Sequence, residues 1–185
     1  MPGNRRTRTT KRRSNGNGRS RSGKDAIALL KADHRQVEKW FSQFEKAREG
    51  RRKAELAEQI CKALKVHTAI EEEIFYPAFY EATGDKEIHH EAEIEHNSAK
   101  KLIAEIEGSN SKDDYFDARV TVLSEMIKHH VREEEQPGGM FAKARKSEID
   151  LVELSEQLRA RKIELEKDES PKGGIRAIAT RLLEA

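Results

Sequence analysis

Residues 67–72 read His-Thr-Ala-Ile-Glu-Glu, and residues 130–135 read His-Val-Arg-Glu-Glu-Glu. In each stretch a histidine stands four residues before a glutamate. Four residues rotate an α-helix by about 400°, so both side chains leave the helix in nearly the same direction, one turn apart. The repeated spacing predicts two helices that each present an imidazole and a carboxylate on one face.

A further histidine lies upstream of each stretch. His34 stands 33 residues before His67, His96 stands 34 residues before His130, and an acidic residue precedes the earlier histidine in both cases. The spacing therefore indicates a helical hairpin that is used twice. Two such hairpins that face each other would bring two equivalent half-sites together.

The rest of the chain predicts an all-α fold, an up-down-up-down four-helix bundle. Strong helix formers dominate beyond residue 24, apolar residues recur at helical spacing, and no strand-like alternation is present. Asp25 and Ser111 are the expected N-caps of the first and fourth helices, and glycines at 50, 84 and 108 fall between helices. The predicted helices span about 25–48, 52–80, 85–107 and 112–136.

An additional C-terminal helix is expected after the bundle. Pro-Gly-Gly at 137–139 should break the fourth helix, and a fifth is predicted at 148–167, opened by Ser147 with Asp150 in a capping-box-like arrangement. Residues 169–185 are predicted to be a linker followed by a short amphipathic segment, which could contact a partner or cap the bundle.

Charge divides the chain unevenly. Residues 1–24 hold nine Lys and Arg and no acid, so a disordered basic tail is predicted ahead of a bundle domain at 25–168. The tail could attract nucleic acid or another polyanion without sequence specificity, or simply keep the protein in solution. No aromatic residue lies among its arginines to stack on bases.

Composition excludes several classes of protein. No apolar run approaches the roughly 20 residues that cross a membrane, and the first 25 residues contain no apolar signal region. The single cysteine, Cys61, excludes a disulfide framework and a zinc site built from several thiolates. A soluble cytoplasmic protein is expected, and the oligomeric state stays open.

The inward face of each predicted bundle helix carries a histidine, and two faces also carry a glutamate. One buried histidine is most often a hydrogen-bonded core residue, but burying this many ionisable groups is costly unless they are paired, neutralised or metal-bound. Four histidines on four faces with two carboxylates therefore favour a metal site. The candidate ligands are His34, His67, Glu71, His96, His130 and Glu134.

Ligand arithmetic favours two metals. If Glu71 and Glu134 bridge, each metal has two oxygens and two imidazole nitrogens, with room for a bridging group and an open position. Imidazole, carboxylate and an open position favour iron, with manganese or zinc less suited. Ferritin-like bundles need Glu-x-x-His on two helices, but here Glu87/His90 and Glu93/His96 both lie on the third helix.

The two His-x3-Glu-Glu stretches, the acid-histidine pairs at 33–34 and 95–96, and Phe-Tyr-Pro at 75–77 together resemble the hemerythrin-like (HHE cation-binding) domain. The resemblance covers about residues 25–165. It implies a non-haem di-iron centre in a four-helix bundle, with the six candidates at the family's ligand positions. Members bind dioxygen, sense oxygen or iron, or act in peroxide and nitric-oxide stress.

One position departs from the oxygen carriers of that family, which use a fifth histidine on the third helix. Lys100 stands four residues after His96, and Ala92 four before it. The fifth ligand is therefore missing or replaced, which argues against reversible oxygen carriage. The candidates for a replacement are Glu38, His89, Tyr76 and Tyr115, the tyrosines as a phenolate or a hydrogen-bond partner.

His129 competes with His130, because His129 and Glu133 make the same i, i+4 pair. We favour His130, since its helix face is more apolar and the family pattern uses the second histidine. Nearby acids are expected to orient the imidazoles or to face solvent. They are Asp33, Glu72, Glu73, Glu95 and Glu135.

Three functions follow as hypotheses. The first is a di-iron protein that binds or senses dioxygen, nitric oxide, peroxide or iron. The second is a stress-related di-iron oxidoreductase that removes peroxide or nitric oxide, or a sensor whose basic tail contacts DNA or another polyanion. The third is a purely structural bundle, in which replacing His67 or Glu71 would leave the metal content unchanged.

Overall fold

The computed structural model describes residues 25–168, and in that range it is all-helical. Four long helical stretches form an antiparallel bundle and a further helix follows, which confirms the predicted fold class. The predicted tail at 1–24 and segment at 169–185 lie outside the described residues. The elements are α1 (Ala26–Lys46), α2 (Gly50–Ile70), a π-helical turn (Glu71–Phe75), α3 (Tyr76–Thr83), α4 (Lys86–Glu107), α5 (Phe116–Glu135), α6 (Met140–Ala144) and α7 (Leu151–Asp168).

The ends of the helices follow local chemistry. Asp25 caps α1 as predicted, because its Oδ1 accepts the backbone N–H of Ala28 at 2.8 Å. Asp85 caps α4 in the same way through the N–H of Ile88. Gly84 ends α3 in the left-handed region, at φ 66°, where a residue with a Cβ would be strained.

Two predicted caps are wrong. The fourth bundle helix begins at Phe116 rather than near 112, since Asn110 and Asp113 accept N–H groups two residues ahead and hold residues 110–115 in turns. Ser111 therefore caps nothing. In the fifth predicted helix, Asp150 is the cap and accepts the N–H groups of the two residues that follow Leu151.

Ser147 instead ends α6, where its hydroxyl donates to the carbonyl of Ala144. This short helix was not predicted. Pro-Gly-Gly at 137–139 does end α5, as expected, and the chain then turns back to seat Met140 and Phe141 in the core. The second predicted helix is not continuous either, because the π-helical turn separates α2 from α3.

The core has two apolar parts. A first apolar cluster, centred on Phe41, Ile60 and Leu123, fills the half of the bundle around the α2 N-terminus. A second apolar cluster, centred on Leu30, Phe75 and Phe141, fills the other half. The predicted ligands belong to neither cluster, so they form a polar layer between the two.

Helix α7 packs across the outside of α1, α2 and the π-helical turn. Leu154 and Leu158 bury its apolar side in the second cluster. Lys162 donates to Asp33 on α1, and Arg161 forms a two-point ion pair with Glu73. Within residues 25–168, no helix is long and apolar enough to span a membrane.

Candidate metal centre

The six predicted residues meet in the middle of the bundle. Each of the four long helical stretches contributes its histidine, and Glu71 and Glu134 follow one turn after His67 and His130. All six side chains are buried, with 0 to 5% of the residue surface exposed. Such burial requires that their charges be compensated inside the protein.

The four histidines turn their Nε2 atoms toward one another. The Nε2 atoms of His34 and His67 lie 3.0 Å apart, and those of His96 and His130 lie 3.2 Å apart. One histidine pair thus comes from α1 and α2 and the other from α4 and α5, as the repeated hairpin predicts.

Both buried glutamates lie between the two histidine pairs. Oε2 of Glu71 is 3.2 Å from Nε2 of His67 and 3.5 Å from Nε2 of His96. Glu134 contacts the two pairs through different oxygens. Its Oε2 is 3.4 Å from Nε2 of His34, and its Oε1 is 3.7 Å from Nε2 of His130. Each carboxylate therefore contacts both halves of the centre.

The outward nitrogens of the imidazoles face a ring of four carboxylates. Nδ1 of His34 donates to Glu135 at 2.9 Å, and Nδ1 of His96 donates to Glu72 at 3.0 Å. Each of these acids directly follows a buried glutamate of the opposite hairpin. They hold the first histidine of each half.

The second histidine of each half faces an acid of its own hairpin. Nδ1 of His130 donates to Glu95 at 2.7 Å, and Nδ1 of His67 lies 3.6 Å from Asp33. Asp33 and Glu95 are the acids that precede the first histidines. The four contacts are thus related by an approximate two-fold axis, which matches the repeat in the sequence.

The three hydrogen bonds fix the tautomers of His34, His96 and His130, and the Asp33 carboxylate favours the same tautomer of His67. A carboxylate only accepts hydrogen bonds, so Nδ1 must carry the proton and each neutral imidazole turns the Nε2 lone pair inward. If both imidazoles are neutral in this tautomer, the Nε2 lone pairs of His34 and His67 point at each other across 3.0 Å and repel. A proton or a metal cation held by the two Nε2 atoms would remove this repulsion, and a separation of 3.0 Å lets both nitrogens reach one metal ion at about 2.1 Å.

The buried carboxylates are similarly incomplete. Both oxygens of Glu71 and Oε2 of Glu134 lack a hydrogen-bond partner, although both residues are buried. Two triads of ligand atoms within 4.8 Å of one another share Glu71. One triad adds His34 and His67, and the other adds His96 and His130. The donor set fits cations bound by nitrogen and carboxylate oxygen.

In the metal-free protein, protons bound to the histidines supply the positive charge that balances the buried carboxylates. Burial disfavours the charge on His67, yet the carboxylates of Glu71 and Asp33 outweigh it and raise the pKa to about 10. The pKa of His130 rises to about 9 because Glu134 and Glu95 likewise outweigh burial. Burial lowers the pKa of His34 to about 4.

Burial and the neighbouring charge of Glu71 raise the pKa of Glu134. For Glu71, burial acts to raise the pKa, but the contact with His67 and the charges of His67, His96 and His34 together outweigh burial and lower it. Like charges this close cannot both ionise cheaply without a cation. The centre therefore needs positive charge, which either protons or metal ions can supply.

The sequence left Tyr76 undecided, and the structure places it at the centre. Its buried hydroxyl donates to Oε1 of Glu134 at 3.2 Å and lies 3.1 Å from Nε2 of His96. In an unbroken α-helix, Tyr76 would lie about 140° away from Glu71. The wider π-helical turn between them brings both side chains to the same face.

The other candidates for a fifth ligand lie elsewhere. Glu38 pairs with Arg35 on the outer face of α1. Tyr115 is 69% exposed, and His129 is exposed, whereas His130 is buried. His89 packs against the rings of Tyr76 and Tyr80, outside the polar layer.

Lys100 stands where the oxygen carriers have a histidine, and it has a different partner here. Its Nζ donates to Oε1 of Glu72 at 2.6 Å. Glu72 in turn holds the imidazole of His96. At this position the chain therefore has a lysine that supports the carboxylate orienting His96, instead of the histidine ligand of the oxygen carriers.

A small cavity lies beside the four histidines on the side of the first apolar cluster. Its volume is about 10 Å³, and its apolar wall includes Val37, Leu64, Ile127 and Val131. This is close to the space that a single water needs, so only a very small molecule fits. A separate groove of about 150 Å³ between α4 and α5 reaches His96 and His130 from outside.

Comparisons with known proteins agree with this geometry. A model of the hemerythrin HHE cation-binding domain matches residues 25–144. The crystal structure of a hemerythrin HHE cation binding domain-containing protein from Mycobacterium kansasii superimposes with a TM-score of 0.68, covering 85% of this chain and 98% of that one. The two sequences are 18% identical, so this likeness concerns the fold alone.

A curated protein named DNA nickase, from Nostoc sp. (strain PCC 7120), is 28% identical over 110 residues. The match spans 58% of this chain but only 30% of the length of that protein. The similarity therefore concerns a part of the nickase that is about the size of one domain.

Proposed function

The chain belongs to the family of hemerythrin HHE cation-binding domains, and on that premise we propose that it holds two non-haem iron ions and binds or senses a small ligand. The ligand would be dioxygen, nitric oxide, peroxide or iron itself. One observation carries the proposal. Four imidazoles, three of them hydrogen-bonded to outer carboxylates, aim their Nε2 atoms at two buried carboxylates, and three of the four carboxylate oxygens lack a hydrogen-bond partner.

The proposed ligands are His34, His67, Glu71, His96, His130 and Glu134. Two ions rather than one are supported by two triads of donor atoms that share Glu71. Mixed imidazole and carboxylate donors favour iron over magnesium or calcium, with manganese and zinc as the closer competitors. We place the protein in the cytoplasm, where a reducing environment keeps Cys61 a free thiol.

The residues of the chain would do three things for such a centre. The outer carboxylates keep the Nε2 atoms of the imidazoles aimed inward, the two apolar clusters keep bulk water away, and the 10 Å³ cavity beside the histidines has room for only a very small molecule. Iron, when bound, would supply electrons and an open coordination position. The chain has Lys100 in place of the fifth histidine of the oxygen carriers, which argues against reversible oxygen carriage.

The first experiment is a metal count. The chain is purified without oxygen, loaded with ferrous iron and freed of excess, and its visible spectrum is recorded before and after air is admitted. We expect about two irons per chain and the absorption of a di-ferric pair. Iron well below one per chain would contradict the proposal.

Adjacent histidines provide a matched control. His130→Ala removes a buried proposed ligand, whereas His129→Ala removes its exposed neighbour. We expect the first variant to lose metal and the second to keep it. Equal metal content in both variants would remove His130 from the proposed ligands.

Peroxide chemistry is an alternative that Tyr76 supports. Removal of peroxide needs a proton donor at the open position, and the Tyr76 hydroxyl is a buried donor among the proposed ligands. Tyr76→Phe should keep two irons per chain but slow peroxide consumption. Tyr80→Phe at the surface should keep both the iron and the wild-type rate of peroxide consumption. If both variants consume peroxide at the wild-type rate, Tyr76 is not the donor.

Contact with nucleic acid is a second candidate function. Residues 1–24 carry nine basic residues and no acid, and one relative is named a DNA nickase. We expect weak binding of duplex DNA at low salt that disappears at high salt. Replacing Arg5, Arg6 and Arg8 by Gln should reduce the dependence of binding on salt, and unchanged binding would remove the tail from this role.

A further inference from the structure

An open groove runs along the outside of α1 and α2, next to the end of α7. Its volume is about 420 Å³, which lies within the range of sites that bind drug-sized ligands. Its apolar floor is formed by Val37, Trp40, Ala63 and Val66. The groove is separate from the small cavity beside the histidines.

Trp40 is the largest side chain in this groove and the only tryptophan of the chain. It is partly buried and packs against the first apolar cluster, so one side of the indole belongs to the core and the other lines the groove. A concave apolar surface of this kind is a normal docking site for the apolar face of a helix.

The end of α7 forms one wall of this groove. Lys162 and Glu166, in the last two turns of α7, line it. Lys162 bonds Asp33 at one end of the groove, and Trp40 lies two turns further along α1. The chain therefore leaves α7 at Asp168 beside a groove that continues toward Trp40.

The sequence that follows Asp168 has the pattern that such a groove requires. Seventeen residues follow, 169–185, and residues 175–184 read Ile-Arg-Ala-Ile-Ala-Thr-Arg-Leu-Leu-Glu. Apolar side chains at 175, 178, 179, 182 and 183 follow helical i, i+3, i+4, i+7 spacing, with charged and small residues between them. An amphipathic helix needs a partner for its apolar face.

We propose that residues 175–184 lie in the groove of the same chain as an amphipathic helix, with their apolar side chains against Trp40. The six residues from 169 to 174 can extend up to about 20 Å, so the segment reaches the groove without strain. A helix of ten residues is about 15 Å long and spans the two turns of α1 between Asp33 and Trp40. Docked there, it also covers Asp33, the carboxylate that faces His67.

The test uses the fluorescence of Trp40 in the full-length chain. In one variant, Ile178→Glu and Leu182→Glu place charges on the apolar face of the segment. In the matched control, Ala177→Glu and Thr180→Glu place the same charges on the opposite face. We expect the first variant to shift the emission to longer wavelength and to raise acrylamide quenching about twofold or more, while the control stays at the wild-type values.

Circular dichroism of both variants checks that the bundle is intact. Equal quenching of Trp40 in wild type and both variants would overturn the proposal. Protection of Trp40 that grows with protein concentration would overturn it too, because the occupant would then be a second copy of the chain.

A cross-link provides a second measurement that does not depend on fluorescence. Gln59→Cys lines the groove, and Leu183→Cys lies on the apolar face of the segment, so mild oxidation should join them within one chain. Cys61 is buried and does not compete. Replacing Gln59→Cys by Glu125→Cys on the exposed side of α5 should abolish the cross-link, and equal yields would contradict intramolecular docking.

Discussion

At the scale of single residues, two neighbouring acids of the π-helical turn have different roles. Glu72 holds the imidazole of His96, whereas Glu73 pairs with Arg161 at the surface. We expect Glu72→Gln to weaken metal binding about 10- to 100-fold, the usual effect of losing a carboxylate that orients a ligand. Competition with a chelator measures this affinity.

Glu73→Gln is the control for this comparison. It removes the same charge one residue away but leaves the histidine contacts in place, so its metal affinity should equal that of the wild type. A loss of the same size in both variants would mean that net charge, rather than orientation of His96, governs binding.

Proton release is a second expectation at this scale. His67 and His130 have raised pKa values, about 10 and about 9, so both are protonated at pH 7 without metal. Metal ligation needs these imidazoles neutral and Glu134, whose pKa is also raised, ionised, so binding releases about two to three protons and weakens about 100- to 1,000-fold per pH unit as the pH falls below these pKa values. Calorimetry in buffers of different ionisation enthalpy measures the release, and metal retained below about pH 4 would contradict it.

The sequence predicts much of the candidate centre, because helical spacing decides which residues share a face. His130 rather than His129 follows from the apolar character of its stripe, and the structure buries His130 as expected. The ring of orienting carboxylates was less accessible to sequence reasoning. Glu72 reaches His96 and Glu135 reaches His34 across the bundle, which depends on how the two hairpins pack.

At the scale of elements, the π-helical turn shows where sequence reasoning fails. The periodicity of residues 52–80 predicts one helix, because a single extra residue per turn barely disturbs an apolar pattern. Yet the turn decides that Tyr76 faces Glu134.

The predictions of the helix ends at 110–115 and 147–150 were wrong for another reason. Several Asn, Asp and Ser residues in each stretch can cap a helix, and packing decides between them.

The connection from α5 to α6 provides a test at this scale. A Cβ on Gly139 would lie 2.2 Å from the carbonyl oxygen of Glu133 and 2.9 Å from that of Glu134. Gly139→Ala must therefore displace the last turn of α5, which carries a proposed ligand. We expect a loss of about 1–3 kcal/mol in the free energy of unfolding, together with weaker metal binding.

Gly50→Ala is the matched control, because its Cβ would only reach ordinary contact distance, 3.5 Å from Oγ of Ser111. Alanine is a better helix former than glycine, so this variant should be neutral or slightly more stable. Urea titrations followed by circular dichroism compare the three proteins. If Gly139→Ala unfolds at the wild-type urea concentration, the close packing of α6 on α5 is not rigid.

At the scale of the whole molecule, the polar layer separates two apolar clusters that stabilise opposite halves of the bundle. Without metal, this layer contains carboxylate oxygens that lack hydrogen-bond partners and two protonated imidazoles, those of His67 and His130, whose charge burial disfavours. Buried polar groups of this kind cost free energy, whereas ligation satisfies them together and ties all four helices to one point. Metal binding is thus expected to stabilise both halves as a unit.

The rate at which Cys61 is alkylated measures how metal binding stabilises the bundle away from the centre. Cys61 lies in the first apolar cluster, 1% exposed, and burial together with the charge of Glu107 raises the pKa of its thiol to about 12. Alkylation at pH 8 therefore requires that the bundle open around it. We expect ferrous iron to slow the alkylation of Cys61 by tenfold or more, since saturating ligand contributes about 1.4 kcal/mol for each tenfold excess over its dissociation constant. The His130→Ala variant should show no such protection, whereas His129→Ala should show it fully. If iron slows the alkylation of Cys61 equally in both variants, the metal acts on the bundle from a site other than the proposed centre.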